Sequence, residues 1–230
     1  SASAESLASP VGGAAEPGGG LYVADYGNHR VLYFPPGATT AVRVYGQSNF
    51  TDHSVNAGGS RGPSTLNGPT GVAVDGNGGL YVADSGNNRV MYFPAGASAA
   101  TRVYGQGGSF NTGVAGTGQL ISASSLLSPA DVSCDSQGGI YVAEAQNNRV
   151  LHFSAASSVA DYVYGQNQSY TTSVANNGAS AGAASAAGLS LPSGVAVARD
   201  GSIYIADQGN NRVLHYPVGS STPDKVFGQS

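Results

Sequence analysis

Short apolar segments alternate with glycine- and asparagine-rich turns along this chain. The clearest set comprises the segments 71–75, 80–84, 89–93 and 101–106. The residues between them, such as Gly-Asn-Gly-Gly at 76–79, tolerate the positive φ angles of tight turns. The pattern therefore predicts four short antiparallel strands. These segments are apolar at nearly every position instead of alternating, which is typical of sheets covered on both faces.

The same set of four segments occurs four times, so the repeat is a supersecondary unit. Its second segment is the best preserved and reads Leu21–Asp25, Leu80–Asp84, Ile140–Glu144 and Ile203–Asp207. Four short antiparallel strands per unit make a propeller blade. The sequence thus predicts an all-β fold, a single β-propeller domain over residues 1–230 with blades at approximately 7–47, 66–106, 126–166 and 189–229. Helical solenoids are excluded because glycine, proline and β-branched residues interrupt every segment.

Long linkers join the predicted blades, at residues 48–65, 107–125 and 167–188. They exceed what is needed to cross from an outer strand to the next inner strand. Each linker repeats an aromatic residue and a valine, and we interpret these as apolar anchors: Phe50, Phe110 and Tyr170, with Val55, Val114 and Val174. The linkers are therefore predicted to be ordered loops that fold over one face.

The charge balance excludes some partners. The chain has 9 Lys and Arg against 13 Asp and Glu, a formal net charge of −4, so it lacks the basic surplus that neutralises phosphates. We expect no nucleic-acid partner. No apolar run approaches the ~20 residues needed to cross a bilayer, so no membrane insertion is expected. The single cysteine, Cys134, cannot form an internal disulfide and occupies the position of Val74, which predicts core packing.

An acid and an arginine recur once per blade, five residues apart across a turn. They are Asp25 and Arg30, Asp84 and Arg89, Glu144 and Arg149, and Asp207 and Arg212. One interpretation is a ring of carboxylates around a channel holding a cation. The other is a structural motif in which each pair and its hydrogen bonds brace the turn. We favour bracing, because every blade carries both signs of charge.

Nothing in the chain recommends catalysis. His152 and His215 replace Tyr33 and Tyr92, and His29 replaces an asparagine in a turn. His53 lies beside Asp52 in a linker, and one histidine without partners is no zinc site. No nucleophile elbow, phosphate loop or Cys-x-x-Cys motif is present. We therefore expect a protein that is not an enzyme and has no cofactor.

Two sequons suggest an extracellular location. Asn49 begins Asn-Phe-Thr and Asn167 begins Asn-Gln-Ser, and both follow the Gly-Gln that closes a blade. Exposed linkers are where N-linked glycans can be attached. Few charges and polar linkers also suit an extracellular or cell-surface protein.

The repeated residues resemble a known family. The pattern Pro-x-Gly-Val-Ala-Val-Asp followed by Leu-Tyr-Val-Ala-Asp-x-Gly-Asn-Asn-Arg-Val is similar to the NHL repeat of β-propeller proteins, and the second and fourth copies match it most fully. The resemblance covers essentially the whole chain and implies four-stranded blades around a central channel, usually about six of them. The family includes extracellular binding modules, sensor domains, RNA-binding regulators and a few lyases, so the resemblance does not choose a function.

Two departures from that pattern concern the ends of the repeat array. The opening strand of the first copy, at 12–16, lacks the valines found at Val72 and Val74, so this edge is expected to pack less well. Four copies are fewer than the family usually has. The chain is therefore a segment of a longer array, a compact four-bladed ring, or a unit completed by a second chain. An unclosed array would leave apolar blade faces in water.

These observations favour a non-enzymatic structural or interaction module. We expect a protein partner or self-association through the end blades, giving an oligomer or fibre. The alternative is a metal-dependent propeller enzyme of the lyase or lactonase type with its site in the channel. An RNA-binding propeller conflicts with the acidic charge balance.

Overall fold

The computed structural model describes residues 2–112, 120–155, 157–179, 185 and 187–228. The linker residue Val114 and the last residue of the fourth predicted blade, Gln229, lie outside these ranges. All-β structure is confirmed, since the described residues contain sixteen strands and no α-helix. No helix among them is long and apolar enough to span a membrane.

The strands form four separate antiparallel sheets, one for each sequence repeat. Blade 1 comprises β1 (Pro10–Ala15), β2 (Leu21–Asp25), β3 (Arg30–Phe34) and β4 (Arg43–Tyr45). Blade 2 comprises β5 (Pro69–Val74), β6 (Leu80–Asp84), β7 (Arg89–Phe93) and β8 (Arg102–Tyr104). Blade 3 comprises β9 (Pro129–Cys134), β10 (Ile140–Glu144), β11 (Arg149–Phe153) and β12 (Tyr162–Tyr164). Blade 4 comprises β13 (Pro192–Val197), β14 (Ile203–Asp207), β15 (Arg212–Tyr216) and β16 (Lys225–Gly228).

Strand order in each blade follows the chain, so every connection within a blade is a simple reversal. The fourth strands are shorter than predicted from the apolar pattern. In blade 2 the strand ends at Tyr104 because Gly105 has a φ of +82° and turns the chain away. Gln106 is then buried, and its side-chain Nε2 donates to the carbonyl of Asn88 at 3.0 Å.

The inner strands pack in the order β1, β5, β9, β13. Within the described residues, no comparable packing joins β13 back to β1, so the four blades form an arc. Strand β1 is exposed or half-buried along its whole length, and all of β16 is exposed. Both ends of the arc are therefore open to solvent.

The hydrophobic core is divided into three clusters, and each lies between two blades. The first combines Tyr22 and Val31 of blade 1 with Leu80 and Phe93 of blade 2. The second joins blades 2 and 3, and the third joins blades 3 and 4. Blades 2 and 3 thus contribute their two faces to different clusters, which explains why their strands are apolar on both sides.

The linkers are anchored by aromatic residues as predicted, but not by the predicted valines. Phe110 and Tyr170 do pack against the core, but Val55 and Val174 are exposed. Buried asparagines one or two residues after these valines, Asn56 and Asn176, make the contacts instead. Nδ2 of Asn87 in the blade 2 turn donates to Oδ1 of Asn56 at 2.8 Å, and Asn210 donates to Asn176 at 2.7 Å.

Candidate functional site

Each predicted acid lies directly opposite its predicted arginine, at the end of the hairpin between the second and third strands of a blade. The arginine Nε lies 2.7, 2.7, 2.6 and 2.8 Å from a carboxylate oxygen in blades 1 to 4. The first three pairs are fully buried, while Arg212 in blade 4 is slightly exposed. The pairs are Asp25 with Arg30, Asp84 with Arg89, Glu144 with Arg149, and Asp207 with Arg212.

The carboxylates are also saturated by N–H donors from their own blade. Oδ1 of Asp84 accepts the backbone N–H of Asn67 at 2.7 Å, and Oδ2 accepts Nδ2 of Asn87 at 2.8 Å. The pKa of Asp84 is raised overall by burial, and Arg89 and these donors offset part of that rise. Sequence reasoning missed the asparagines of this network, although they recur three residues after each acid: Asn28, Asn87, Asn147 and Asn210.

The arginines of blades 1 to 3 connect their hairpins to the segments that precede and follow the blade, while the printed contacts of Arg212 in blade 4 are to the preceding segment, at Ser185 and Gly188. Nη1 of Arg89 donates to the carbonyl of Phe110, and Nη2 donates to the carbonyls of Gly62 and Thr65 at 3.1 and 2.8 Å. Arg30 and Arg149 make the equivalent contacts, with Phe50 and Tyr170 as the Nη1 acceptors. The charged groups of the repeat are therefore engaged within the protein, where they hold linkers onto blades.

The histidines are also engaged in local contacts. His152 lies between Asp161 and Asp135, with Nδ1 and Nε2 at 2.6 and 3.2 Å from their carboxylates. His215 pairs with Asp224 at 2.5 Å, and Nδ1 of His53 lies 3.1 Å from the carbonyl of Thr51. In the part of the chain that the structure describes, no three His, Cys, Asp or Glu residues are grouped as a metal site would require.

One carboxylate at the inner edge of the blades is not part of an ion pair. Asp131 in β9 occupies the position of Gly71, and its Oδ2 accepts the backbone N–H of Val195 at 3.1 Å. Burial raises the pKa of Asp131 to about 6. Cys134 in the same strand is half-buried against the core, and burial raises its pKa to about 11. A neutral thiol of this kind is a poor nucleophile.

Both sequon asparagines have exposed side chains. Asn49 lies in the first linker, and its Oδ1 accepts hydrogen bonds from the backbone N–H and hydroxyl of Thr51 at 2.8 and 2.7 Å. Asn167 lies in a turn after blade 3 with a φ of +49°. Attachment of a glycan at either site stays a prediction.

Three contacts recur at every boundary between consecutive blades, and we refer to this set as the joint. The first is an edge-on aromatic pair between the fourth strand of one blade and the third strand of the next. The pairs are Tyr45 with Phe93, Tyr104 with Phe153, and Tyr164 with Tyr216, with centroids 5.3, 5.4 and 5.0 Å apart. Such pairs stabilise beyond their buried area.

The second contact of the joint packs a leucine onto a glycine. Gly46, Gly105 and Gly165 follow the fourth strand with φ values of +91°, +82° and +79°. A Cβ atom there would lie 2.7, 2.9 and 3.2 Å from the leucine that opens the next blade. These buried leucines are Leu66, Leu126 and Leu189.

The third contact is a hydrogen bond from the entry of one blade to the turn of the blade before it. Oδ1 of Asn88 accepts the backbone N–H of Ser128, and Oδ1 of Asn148 accepts that of Leu191, both at 2.8 Å. At the first joint, Nδ1 of His29 accepts the N–H of Gly68 at 2.9 Å. Burial lowers the pKa of His29, which favours the neutral ring, the form that can accept this bond.

The two ends of the arc carry one half of each contact. The blade-4 end, defined by Asn211, Phe227 and Gly228, has the acceptor, the aromatic ring and the glycine. The blade-1 end, defined by Leu7, Ser9 and Phe34, has the leucine, the backbone N–H and the second ring. Phe227 is 48% exposed and Leu7 is 43% exposed, whereas their internal counterparts are buried.

Comparison with known families identifies three of the four repeats. The model of the NHL repeat matches residues 7–34, 66–91 and 189–216. The repeat of blade 3 lies outside these matches, and it is also the copy with Asp131, Cys134 and Glu144 in place of the usual residues. A search of curated proteins with the sequence found no significant match.

Solved structures with a similar fold include two enzymes. Hydrazine synthase from Kuenenia stuttgartiensis is 12% identical with a TM-score of 0.61, over 97% of this chain and 50% of that one. A catalytically inactive virginiamycin B lyase from Staphylococcus aureus, solved with quinupristin, is 13% identical with a TM-score of 0.57, over 96% and 56%. The chain spans about half the length of each. At this identity the likeness establishes the propeller fold alone.

Proposed function

We propose that this β-propeller of NHL repeats is a non-enzymatic interaction module that acts outside the cell or at its surface. It binds a protein through the exposed ends of its blade array. The observation that carries the proposal is the exposure of Leu7 and Phe227, whose counterparts at every internal joint are buried. Apolar surfaces of this kind mark interaction sites in soluble proteins.

The charged groups of the chain support the same conclusion. The repeated acids and arginines are occupied by one another and by linker carbonyls, so they are not available to bind a ligand. Two exposed sequons and a surface with few charges support an extracellular location.

The proposal is tested by photo-crosslinking in the cells that produce the protein and in their medium. p-Benzoylphenylalanine is placed at position 227, in the blade-4 end. The matched control carries it at position 159, where Val159 is equally exposed but lies in an outer loop of blade 3. We expect crosslinks to a protein from position 227 and none from position 159. Absence of any crosslink from position 227 would refute the proposal.

The enzyme alternative has one feature in its favour, the unpaired carboxylate of Asp131 at the inner edge of the blades. It requires a bound metal, which elemental analysis after exhaustive dialysis would detect. One retained metal ion per chain, lost in an Asp131→Asn variant, would replace our proposal with this alternative.

A further inference from the structure

We propose that the blade-4 end binds the blade-1 end of a second copy of this chain, in the register of the internal joints. This inference rests on the proposed function and names its partner. The contact is heterologous, because the blade-4 end of one copy contacts the blade-1 end of the next.

The aromatic contact is the first of three complementary features. Phe227 is the fourth-strand counterpart of Tyr45, Tyr104 and Tyr164, and Phe34 is the third-strand counterpart of Phe93, Phe153 and Tyr216. Each internal pair joins one blade to the next. Phe227 is exposed and Phe34 is half-buried, so each ring is accessible to a partner at its own end of the arc.

The leucine and glycine of the joint are also divided between the two ends. Gly228 follows the fourth strand of blade 4 with a φ of +102°, as Gly105 does in blade 2. Leu7 precedes blade 1 at the repeat position of Leu126. Leu126 packs against Gly105 at the joint between blades 2 and 3. Docking the two ends would bury Leu7 over a surface that has no Cβ to obstruct it.

The hydrogen bond of the joint is the third feature divided between the two ends. The exposed Asn211 has a φ of +52°, close to the +56° of Asn88, so its amide can occupy the same acceptor position. Ser9 has a φ of +49°, close to the +45° of Ser128, the residue whose N–H Asn88 accepts. Among the described residues, neither the side-chain amide of Asn211 nor the backbone N–H of Ser9 has another partner, while the backbone N–H of Asn211 donates to the carbonyl of Gln208.

This complementarity favours contact between the blade-4 end of one copy and the blade-1 end of another over contact between two identical ends. Two blade-4 ends would bring together two acceptors and two glycines, with no leucine and no N–H donor between them. One chain carries both halves of the joint, so each copy can supply what the other lacks. Two copies supply eight blades, within the range of closed propellers.

Complementation between two singly blocked variants tests the direction of the contact. Phe227→Glu blocks the blade-4 end and Leu7→Glu blocks the blade-1 end, and both side chains are exposed, so each variant keeps its internal joints. We expect the wild-type protein to associate beyond the 22.8 kDa chain and each variant alone to stay monomeric. Mixed in equal amounts, the variants retain one compatible pair of ends and should form a dimer of twice the chain mass.

Light scattering after gel filtration measures these masses, and circular dichroism checks that each variant is folded. Val159→Glu is the matched control, since it introduces the same charge at an exposed apolar residue away from both ends, and should associate like the wild type. A monomeric wild type would overturn the inference. So would self-association of either blocked variant, or a mixture that remains monomeric.

Crosslinking of the otherwise unchanged protein provides a second measurement that does not depend on the folding of a charged variant. A purified chain with p-benzoylphenylalanine at position 227 should crosslink to a peptide of blade 1 that includes Phe34 or Leu7. If position 227 captures a different protein in the producing cells and the purified chain never crosslinks to blade 1, the interaction function stands and this inference fails. If it captures nothing, both fail.

Discussion

Gly12 of blade 1 lies directly against Thr70 of blade 2. A Cβ atom added to Gly12 would come within 2.3 Å of the Thr70 carbonyl oxygen, closer than real contacts allow. The next residue, Gly13, has more room, because its nearest neighbour would be the carbonyl oxygen of Tyr22 at 3.4 Å. Two adjacent glycines in β1 therefore have different roles.

We expect Gly12→Ala to lower the free energy of unfolding by about 1–3 kcal/mol, because it forces the inner strands of blades 1 and 2 apart. Gly13→Ala is the matched control. It should leave stability unchanged or raise it by up to about 1 kcal/mol, because alanine restricts the unfolded chain. Urea denaturation measures both. Equal losses in the two variants would contradict the role assigned to Gly12.

Removing one partner of a buried ion pair should be costly in an internal blade. Asp84→Ala leaves the Arg89 guanidinium buried without its carboxylate, and we expect a loss of about 3–5 kcal/mol in the free energy of unfolding. Asp207→Ala in blade 4 should cost less, because Arg212 is partly exposed and can be hydrated. The same denaturation experiment compares them, and a larger loss for Asp207→Ala would contradict this reasoning.

Asp131 should make stability depend on pH. Its pKa is raised to about 6 in the folded protein, so the folded state disfavours the charged carboxylate more than the unfolded state does. The contribution of Asp131 to stability is therefore complete below its unfolded pKa and is lost as pH rises through about 6. Relative to Asp131→Asn, the wild type should lose roughly 1–3 kcal/mol between pH 4 and pH 7.

Thermal or urea unfolding at several pH values checks this expectation, with the Asp131→Asn variant at each pH as the reference. A difference between the two proteins that does not change with pH would show that Asp131 titrates as an ordinary surface acid.

The sequons predict a change in mass when the protein is made in a cell that performs N-glycosylation. Asn49→Gln and Asn167→Gln should each remove the mass of one glycan without changing stability, because both side chains are exposed. Intact mass before and after enzymatic deglycosylation measures the occupancy. An unmodified mass in secreted protein would refute the prediction at both sites.

Strands and turns could be predicted from the sequence because their signals are local. In blade 2 the apolar segments and the glycines at 76–79 locate β5 and β6 to within two residues. The pairing of Asp84 with Arg89 follows from the same hairpin. Contacts between distant residues could not be predicted in this way. The partners of the Arg89 guanidinium lie up to 27 residues away, and only the fold brings them together.

The prediction of valines as linker anchors was wrong, because it relied on apolar character alone. Val55 has an apolar side chain, yet it is exposed and the adjacent Asn56 is buried. Burial of Asn56 is favoured because Asn87 in the neighbouring turn donates a hydrogen bond to its side chain. Hydrophobicity alone does not report which of two neighbouring residues faces inward, and a buried polar residue is favoured when its partner is in place.

The division of the hydrophobic core between blades has a consequence for how such chains can change in length. Four blades enclose three cores, and no blade has a core of its own. Duplication of one internal repeat would therefore add one complete core, and its deletion would remove one, without altering either terminal face. Arrays of three, four or five blades would present the same residues at their two ends, so a change in repeat number would leave both of these surfaces unaltered.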